Sequence, residues 1–221
     1  MARTLSHTEA QRYYDRFGRR QDGEGWYEDA GLEVLTDRGR LQRAWSVLEF
    51  GCGTGRFAES LIRHHLPADA AYLGLDVSAT MIGLARERLR DAARRSEFRQ
   101  TDGSIAFPVA DGSVDRVICT YVLDLLSDAD IDAFLNESDR VLTPEGLLLL
   151  ASVSPGRSGL ARLTSGFWTF AHWLRPTLVG GCRPLALKDR LVAAGWTIGH
   201  RELVRAWTVT SEAVVAFRPG A

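Results

Sequence analysis

Apolar positions follow two alternating rhythms from residue 46 onward. Short oily runs, "SVLEF", "AYLGLDV", "EFRQTD", "VDRVICTYV" and "LLLLASV", read as five strands. Between them the spacing lengthens to three and four residues, the period of a helix with one buried face. Arg56–His65 places Phe57, Leu61 and Ile62 on one side and stops before Pro67. Ser78 caps a helix running to about Ala93, with Met81, Leu84, Ala85 and Leu89 in a stripe. A further helix from Ser127 to about Leu142 turns Ile131, Phe134, Leu135 and Leu142 inward, and "TPEG" turns the chain into the fifth strand.

Strand alternating with helix, where the strands are oily throughout, is the pattern of a parallel sheet covered on both faces. Right-handed crossovers gather the strands' carboxyl ends on one rim, the place where such sheets bind ligands. After residue 183 the rhythm changes. A short helix, "LALKDRLVAAG", ends at Gly195, and "WTIGHRELVRAW" and "SEAVVAFRP" follow with no helix between them, so they pair as an antiparallel hairpin. The fold class is therefore α/β, a Rossmann-like sheet, mostly parallel, finished by an antiparallel hairpin.

Two segments stand outside this repeat. Residues 1–45 read as helical and amphipathic, with Tyr13, Tyr14, Phe17, Trp26, Tyr27, Leu32, Leu35 and Leu41 among charges. Residues 154–183 form a Gly-, Pro- and aromatic-rich insertion with a helix expected around 159–174. The 221 residues otherwise suit one domain, 46–221.

Composition narrows the setting. A formal net charge of -1 supplies no basic field for nucleic acid. Cys52, Cys119 and Cys182 lie far apart with no CxxC, so neither a disulfide framework nor a metal site is expected, in keeping with a reducing cytoplasm. The N-terminus lacks a signal-peptide core, and the longest oily run is too short to span a bilayer. Monomer and homodimer both remain open.

Candidate chemistry begins at "VLEFGCGTGRF". Glycines 51, 53 and 55 follow the first strand, where backbone must turn sharply or a ligand must approach closely. The dinucleotide fingerprint GxGxxG needs a small residue at 56, and Arg56 stands there. Asp76 ends the second strand, placed to accept ribose hydroxyls. Asp102 in "FRQTDGS" lies beyond the third strand, where a carboxylate can receive an adenine amino group. Each acid also has a plain reading, as a helix-cap support for Asp76 and as an Asp-Gly turn for Asp102.

Together, "VLEFGCGTG", "LGLDVS", "TDGSIAFPVADGSVDRVICTYVL" and "RVLTPEGLLLL" resemble the successive motifs of class I S-adenosylmethionine-dependent methyltransferases, over about residues 40–153. The resemblance implies seven strands with the last one antiparallel, S-adenosylmethionine as methyl donor and S-adenosylhomocysteine as its product. It implies that Glu49 lies near the methionine ammonium and that the Gly51, Cys52, Gly53 and Gly55 loop holds the methionine part. Asp76 would hold the ribose, Val77 and Met81 would flank the adenine, and Asp102, Gly103 and Ser104 would hold its edge. Thr120 and Tyr121 would lie beside the sulfonium, and the 1–45 segment, Tyr14 included, would fold over the cofactor as a lid.

Methyl transfer is an in-line displacement from an already activated sulfonium, so alignment and exclusion of water are the main demands. A hydroxyl or carbon acceptor also needs a base, for which Tyr121, Asp124, His172 and His200 are the candidates. No Asn-Pro-Pro-aromatic motif follows the fourth strand, which disfavours DNA-adenine and RNA-base acceptors. The acceptor is expected to be a small apolar or amphiphilic molecule, loosely as in quinone-biosynthesis and phospholipid-methylating members. Trp168, His172, Arg175 and Arg183 are candidates to contact it, and the aromatic, arginine-bearing insertion forms either that pocket or a peripheral patch for membrane lipid. A cofactor-binding protein without methyl turnover and an NAD(P)-dependent oxidoreductase are the alternative functions.

Overall fold

The computed structural model describes residues 6–155, 183–207 and 209–220. Its centre is a seven-stranded sheet: β1 (Ser46–Phe50), β2 (Ala71–Asp76), β3 (Ser96–Gln100), β4 (Val114–Thr120), β5 (Leu142–Val153), β6 (Thr197–Ala206) and β7 (Val209–Phe217). The order across the sheet is β3-β2-β1-β4-β5-β7-β6. The first five strands are mutually parallel, and β7 runs antiparallel to both β5 and β6. The chain winds outward from β1 in one direction and then from β4 in the other. That reversal opens a crevice beyond the carboxyl ends of β1 and β4.

Alternation along each strand divides the core into two layers. Val47, Leu149 and Val215 face one side, with Leu35, Leu61 and Ile82 from the helices. Leu48, Leu148 and Val214 face the other, against Phe134, Leu135 and Leu191. The first layer is covered by α2 (Gly25–Arg38), α3 (Arg56–Ser60, continued by a π-helical turn Leu61–His65) and α4 (Ala79–Arg88). The second is covered by α5 (Asp128–Val141) and α6 (Leu187–Ala193). Hydroxyls set the helix starts as expected: Ser78 caps α4 and Ser127 caps α5.

Three local expectations change. "TPEG" is drawn into β5, where pairing with β4 jumps from Val114↔Leu142 to Arg116↔Leu147, because the strand absorbs the extra residues as a bulge around Pro144. The helix after Ser78 ends at Arg88 and gives way to a 3-10 turn over Arg90–Ala92. The N-terminal segment divides in two. Its second helix, α2, buries Leu32, Val34 and Leu35 against the sheet and belongs to the core. Only α1 (His7–Phe17), which buries no residue, and the 3-10 segment Gly18–Glu24 lie outside the layers. The helix expected near 159–174 falls outside the described residues.

Gly51 and Gly53 are both in the left-handed region, at φ +77° and +52°. A Cβ at Gly51 would come within 2.2 Å of Val122 Cγ2, whereas one at Gly53 would meet nothing within 4 Å. Gly53→Ala should therefore cost about 1 kcal/mol, the strain of a left-handed L-residue alone, and Gly51→Ala at least about twice that. Urea unfolding of the two variants measures the difference, and equal losses would contradict the packing role given to Gly51.

Candidate cofactor site

The glycine loop between β1 and α3 is held from below by β2. The N–H groups of Gly51 and Cys52 both donate to the Leu75 carbonyl, at 2.7 and 3.0 Å. Asp76 then joins two loops: its Oδ2 accepts from Gly53 N at 2.9 Å and its Oδ1 from Ser78 N at 2.8 Å. All three glycines of the loop have positive φ, Gly55 at +75° with Ala85 close beneath it. One glycine is enough for a tight turn, and this loop uses three because three successive alternate residues are left-handed.

Two carboxylates flank the loop, Glu49 buried behind it and Asp76 partly buried beside it. Burial pushes the Glu49 carboxyl up to about 7; the Tyr72 hydroxyl, which donates to it, pulls it down, and the nearby Asp76 charge raises it again. Burial pushes Asp76 up to about 6, against the lowering effect of the Ser78 and Gly53 N–H groups. Both residues line an open cleft of about 1140 Å³ at the β1/β4 crevice. A buried acid with a raised pKa is in an environment that lacks positive charge, so a cation entering the cleft would be favoured by both.

The N-terminal segment closes the cleft by gripping each loop around it. His7 packs over Gly103, whose Cβ position would lie 2.6 Å from the His7 Cβ, and its Nε2 is 3.4 Å from Asp130 Oδ2. Asp15 accepts from the Ser78 hydroxyl at 2.6 Å and the Thr80 N–H at 3.2 Å. Asp22 accepts from the Thr54 hydroxyl at 2.5 Å and pairs with Arg88. Arg56 pairs with Glu28 at 3.0 Å and with Asp29 at 2.5 Å.

Comparison with known proteins decides what this crevice belongs to. Residues 47–146 match the family model for a methyltransferase domain. A demethylmenaquinone methyltransferase of Tropheryma whipplei is 33% identical over 115 residues, covering 52% of this chain and 44% of the relative. The demethylmenaquinone methyltransferase of Deinococcus radiodurans is 33% identical over 136 residues, 62% of this chain and 52% of the relative. The chain thus spans about half the length of these curated relatives. Residues 47–146 resemble a methyltransferase domain in sequence. The fold extends beyond those residues: the solved structure of the cyclase SpnF superimposes with a TM-score of 0.75 over 99% of this chain and 98% of that one, at 18% identity.

The cleft brings together most of the residues expected to hold the cofactor. Glu49, Gly51, Cys52, Gly53, Asp76, Val77, Met81, Gly103, Thr120, Tyr121 and, from the lid, Tyr14 all line it, while Gly55 supports the loop from behind. The Cys52 thiol is pushed well above its usual range by burial and by the Asp76 and Glu49 charges, so it stays an un-ionised small side chain. S-adenosylmethionine has two cationic centres and two ribose hydroxyl donors, and a cleft backed by Glu49 and Asp76 suits both features.

Other expectations need correction. Asp102 is exposed, and its Oδ1 accepts from both the N–H (2.9 Å) and the hydroxyl (2.6 Å) of Ser104. The acid and Ser104 close an Asx turn on themselves, and Thr101, Gly103 and Ile105 line the cleft in their place. Among the base candidates, the Tyr121 hydroxyl donates to the Glu28 carbonyl at 3.1 Å, and burial raises its pKa, so it anchors α2 and holds its proton. Asp124 is fully buried in the turn after β4, away from the cleft lining. His200 lies on edge strand β6, 3.3 Å from Glu202. Arg183 is engaged with the Leu126 carbonyl (2.9 Å) and Asp128 (2.8 Å), so it clamps the loop after β4. Trp168, His172 and Arg175 fall outside the described residues.

Sequence reasoning missed His7, Gln21, Asp22, Glu28 and Arg56 as cleft-lining residues. Their partners lie 27 to 66 residues away for the Asp22, Glu28 and Arg56 contacts, a separation that no local motif signals.

The raised acids make stability depend on pH. Glu49, raised from 4.5 to about 7, favours the fold while protonated, and that contribution is lost as pH rises through 7. Asp76 acts in the same sense between 3.8 and about 6. Ligand-free Glu49→Gln should therefore gain stability relative to the parent as pH rises from 5 to 8, by up to about 3 kcal/mol. Urea unfolding across that range gives the difference, and a constant offset would contradict the buried-acid description of Glu49.

Proposed function

We propose that the protein transfers a methyl group from S-adenosylmethionine to a small apolar or amphiphilic acceptor. The observation that carries this reading is the pair of carboxylates, buried Glu49 and partly buried Asp76, near the ends of neighbouring strands and lining one cleft. In it Glu49 takes the ammonium and Asp76 the ribose hydroxyls. The Gly51–Gly55 loop lies under the methionine part, and Val77 and Met81 flank the adenine, whose edge meets Gly103.

The acceptor reading is supported by the apolar part of the lining: Leu32, Phe57, Ile105, Val122, Leu125 and Leu126 all line the cleft, a surface suited to an apolar body. The donor brings an activated methyl on a positively charged sulfur. The protein's share is to align the acceptor with it under α1 and the 3-10 segment Gly18–Glu24 and to keep water out. Tyr121, at φ +56°, also lines the cleft, and its hydroxyl donates to the Glu28 carbonyl close to Gly31 of α2. Among the described residues, no helix is long and apolar enough to cross a membrane. An acceptor drawn from a lipid phase would therefore be reached at its surface.

Incubation with methyl-labelled S-adenosylmethionine and a metabolite-plus-lipid extract tests the reading, with mass detection of products that gain one methyl. Labelled products would support it. Saturable binding of the donor with no labelled product would instead leave a cofactor-binding protein without turnover. Asp76→Ala should weaken binding of the donor by about 1–3 kcal/mol, through lost hydrogen bonds to a charged group. Unchanged affinity in a folded variant would remove Asp76 from the ribose.

A further inference from the structure

Charge around the cleft is one-sided. Among the described residues that line it, Asp22, Glu28, Glu49 and Asp76 are acids, and Arg56 is the one guanidinium. That guanidinium is already claimed: its Nη2 donates to Glu28 Oε2 at 3.0 Å and its Nη1 to Asp29 Oδ1 at 2.5 Å. One cation held between two carboxylates leaves a group of net negative charge. The other basic lining residue, His7, has its Nε2 3.4 Å from Asp130. Asp22 pairs with Arg88, which does not line the cleft.

Acidic and apolar lining meet on α2. Glu28 and Leu32 lie one helical turn apart on it, and both line the cleft. The Tyr121 hydroxyl meets the Glu28 carbonyl at 3.1 Å. Burial raises the pKa of that hydroxyl, and the charges of Glu28, Asp124 and Asp29 raise it further, so these acids set a negative field at Tyr121. The methyltransferase resemblance sets the sulfonium beside Thr120 and Tyr121, and an acceptor aligned with it brings its reacting head to the same place. Resting on that methyl-transfer reading, we propose that the α2 side of the cleft selects the acceptor by charge. It favours an apolar body with a cationic head, such as an amine, over one with a phosphate or carboxylate head. A negative head would meet carboxylates in a partly desolvated site, where like charges repel more strongly than in water. A cationic head is stabilised by the same carboxylates. Selection of this kind works by repulsion of the wrong partner as much as by attraction of the right one.

Calorimetric titration of the full chain, saturated with S-adenosylhomocysteine, tests this with decylamine, decan-1-ol and decyl phosphate, each kept below micelle-forming concentration. The three share one tail and differ in the charge of the head. Decylamine should bind tightest, and decyl phosphate about ten-fold or more below decan-1-ol. Glu28→Gln, which keeps the size and removes the charge, should narrow the amine-to-phosphate ratio by about ten-fold. It should leave S-adenosylhomocysteine within about two-fold, which reports an intact cofactor end. Asp29→Asn, on the exposed side of the same guanidinium, should narrow the ratio in the same direction by less, and it carries the comparison if Glu28→Gln does not fold. Decyl phosphate binding as tightly as decylamine overturns the proposal. So does a ratio that neither substitution changes, or failure of all three probes to bind the cofactor-loaded chain. If the unmodified chain does not bind S-adenosylhomocysteine, the cofactor reading itself falls.

Discussion

Two acids have to be kept away from water at the ends of β1 and β2, and much of the crevice is organised around that constraint. Glu49 and Asp76 lie on adjacent parallel strands; desolvation raises both, the Asp76 charge raises Glu49 further, and the Asp15 charge adds to the rise of Asp76. The fold tolerates this because hydrogen-bond donors are already in place, the Tyr72 hydroxyl for one and the Gly53 and Ser78 N–H groups for the other. Those same donors fix the glycine loop and the start of α4. Charge burial and loop geometry are therefore one problem with one solution, and a cationic ligand would complete it.

The lid repeats this logic in reverse. Its acids Asp15 and Asp22 are matched to the Ser78 and Thr54 hydroxyls, the Thr80 N–H and the Arg88 guanidinium, while Glu28 and Asp29 of the core helix α2 pair with Arg56. α1 buries no residue of its own, so polar contacts such as those of Asp15 with Ser78 and Thr80 hold it against the domain, while Tyr13 packs on Tyr14 and Phe17 within the helix. Interactions of that kind are individually weak and exchange readily with water.

The contrast between these two layers explains what the amino-acid sequence discloses. Oily strands, capping serines and the glycine run are local, so "SVLEF", Ser78, Ser127 and Gly51 point to their places without help from distant residues. The hairpin after Gly195 is readable for the same reason. Asp102 is ambiguous because an acid before glycine and serine has two local uses, and in the structure its Oδ1 closes an Asx turn with Ser104. Arg183 misleads because an arginine in an aromatic-rich stretch resembles a ligand anchor, while carbonyl and carboxylate partners on another loop claim it. The division of residues 1–45 into a core helix and a cover depends on Leu32 and Leu35 meeting β5 and β7, which no pattern within the segment reveals.

Proton exchange on cofactor binding tests the central claim, that buried acids wait for a positive charge in this cleft. Calorimetry of S-adenosylmethionine binding at pH 6.5, repeated in buffers of different ionisation enthalpy, counts the protons moved. A cation beside Glu49 and Asp76 lowers their pKa values, so binding should release protons, and Glu49→Gln should remove most of that release. Binding with no proton exchange, or with proton uptake, would contradict the account.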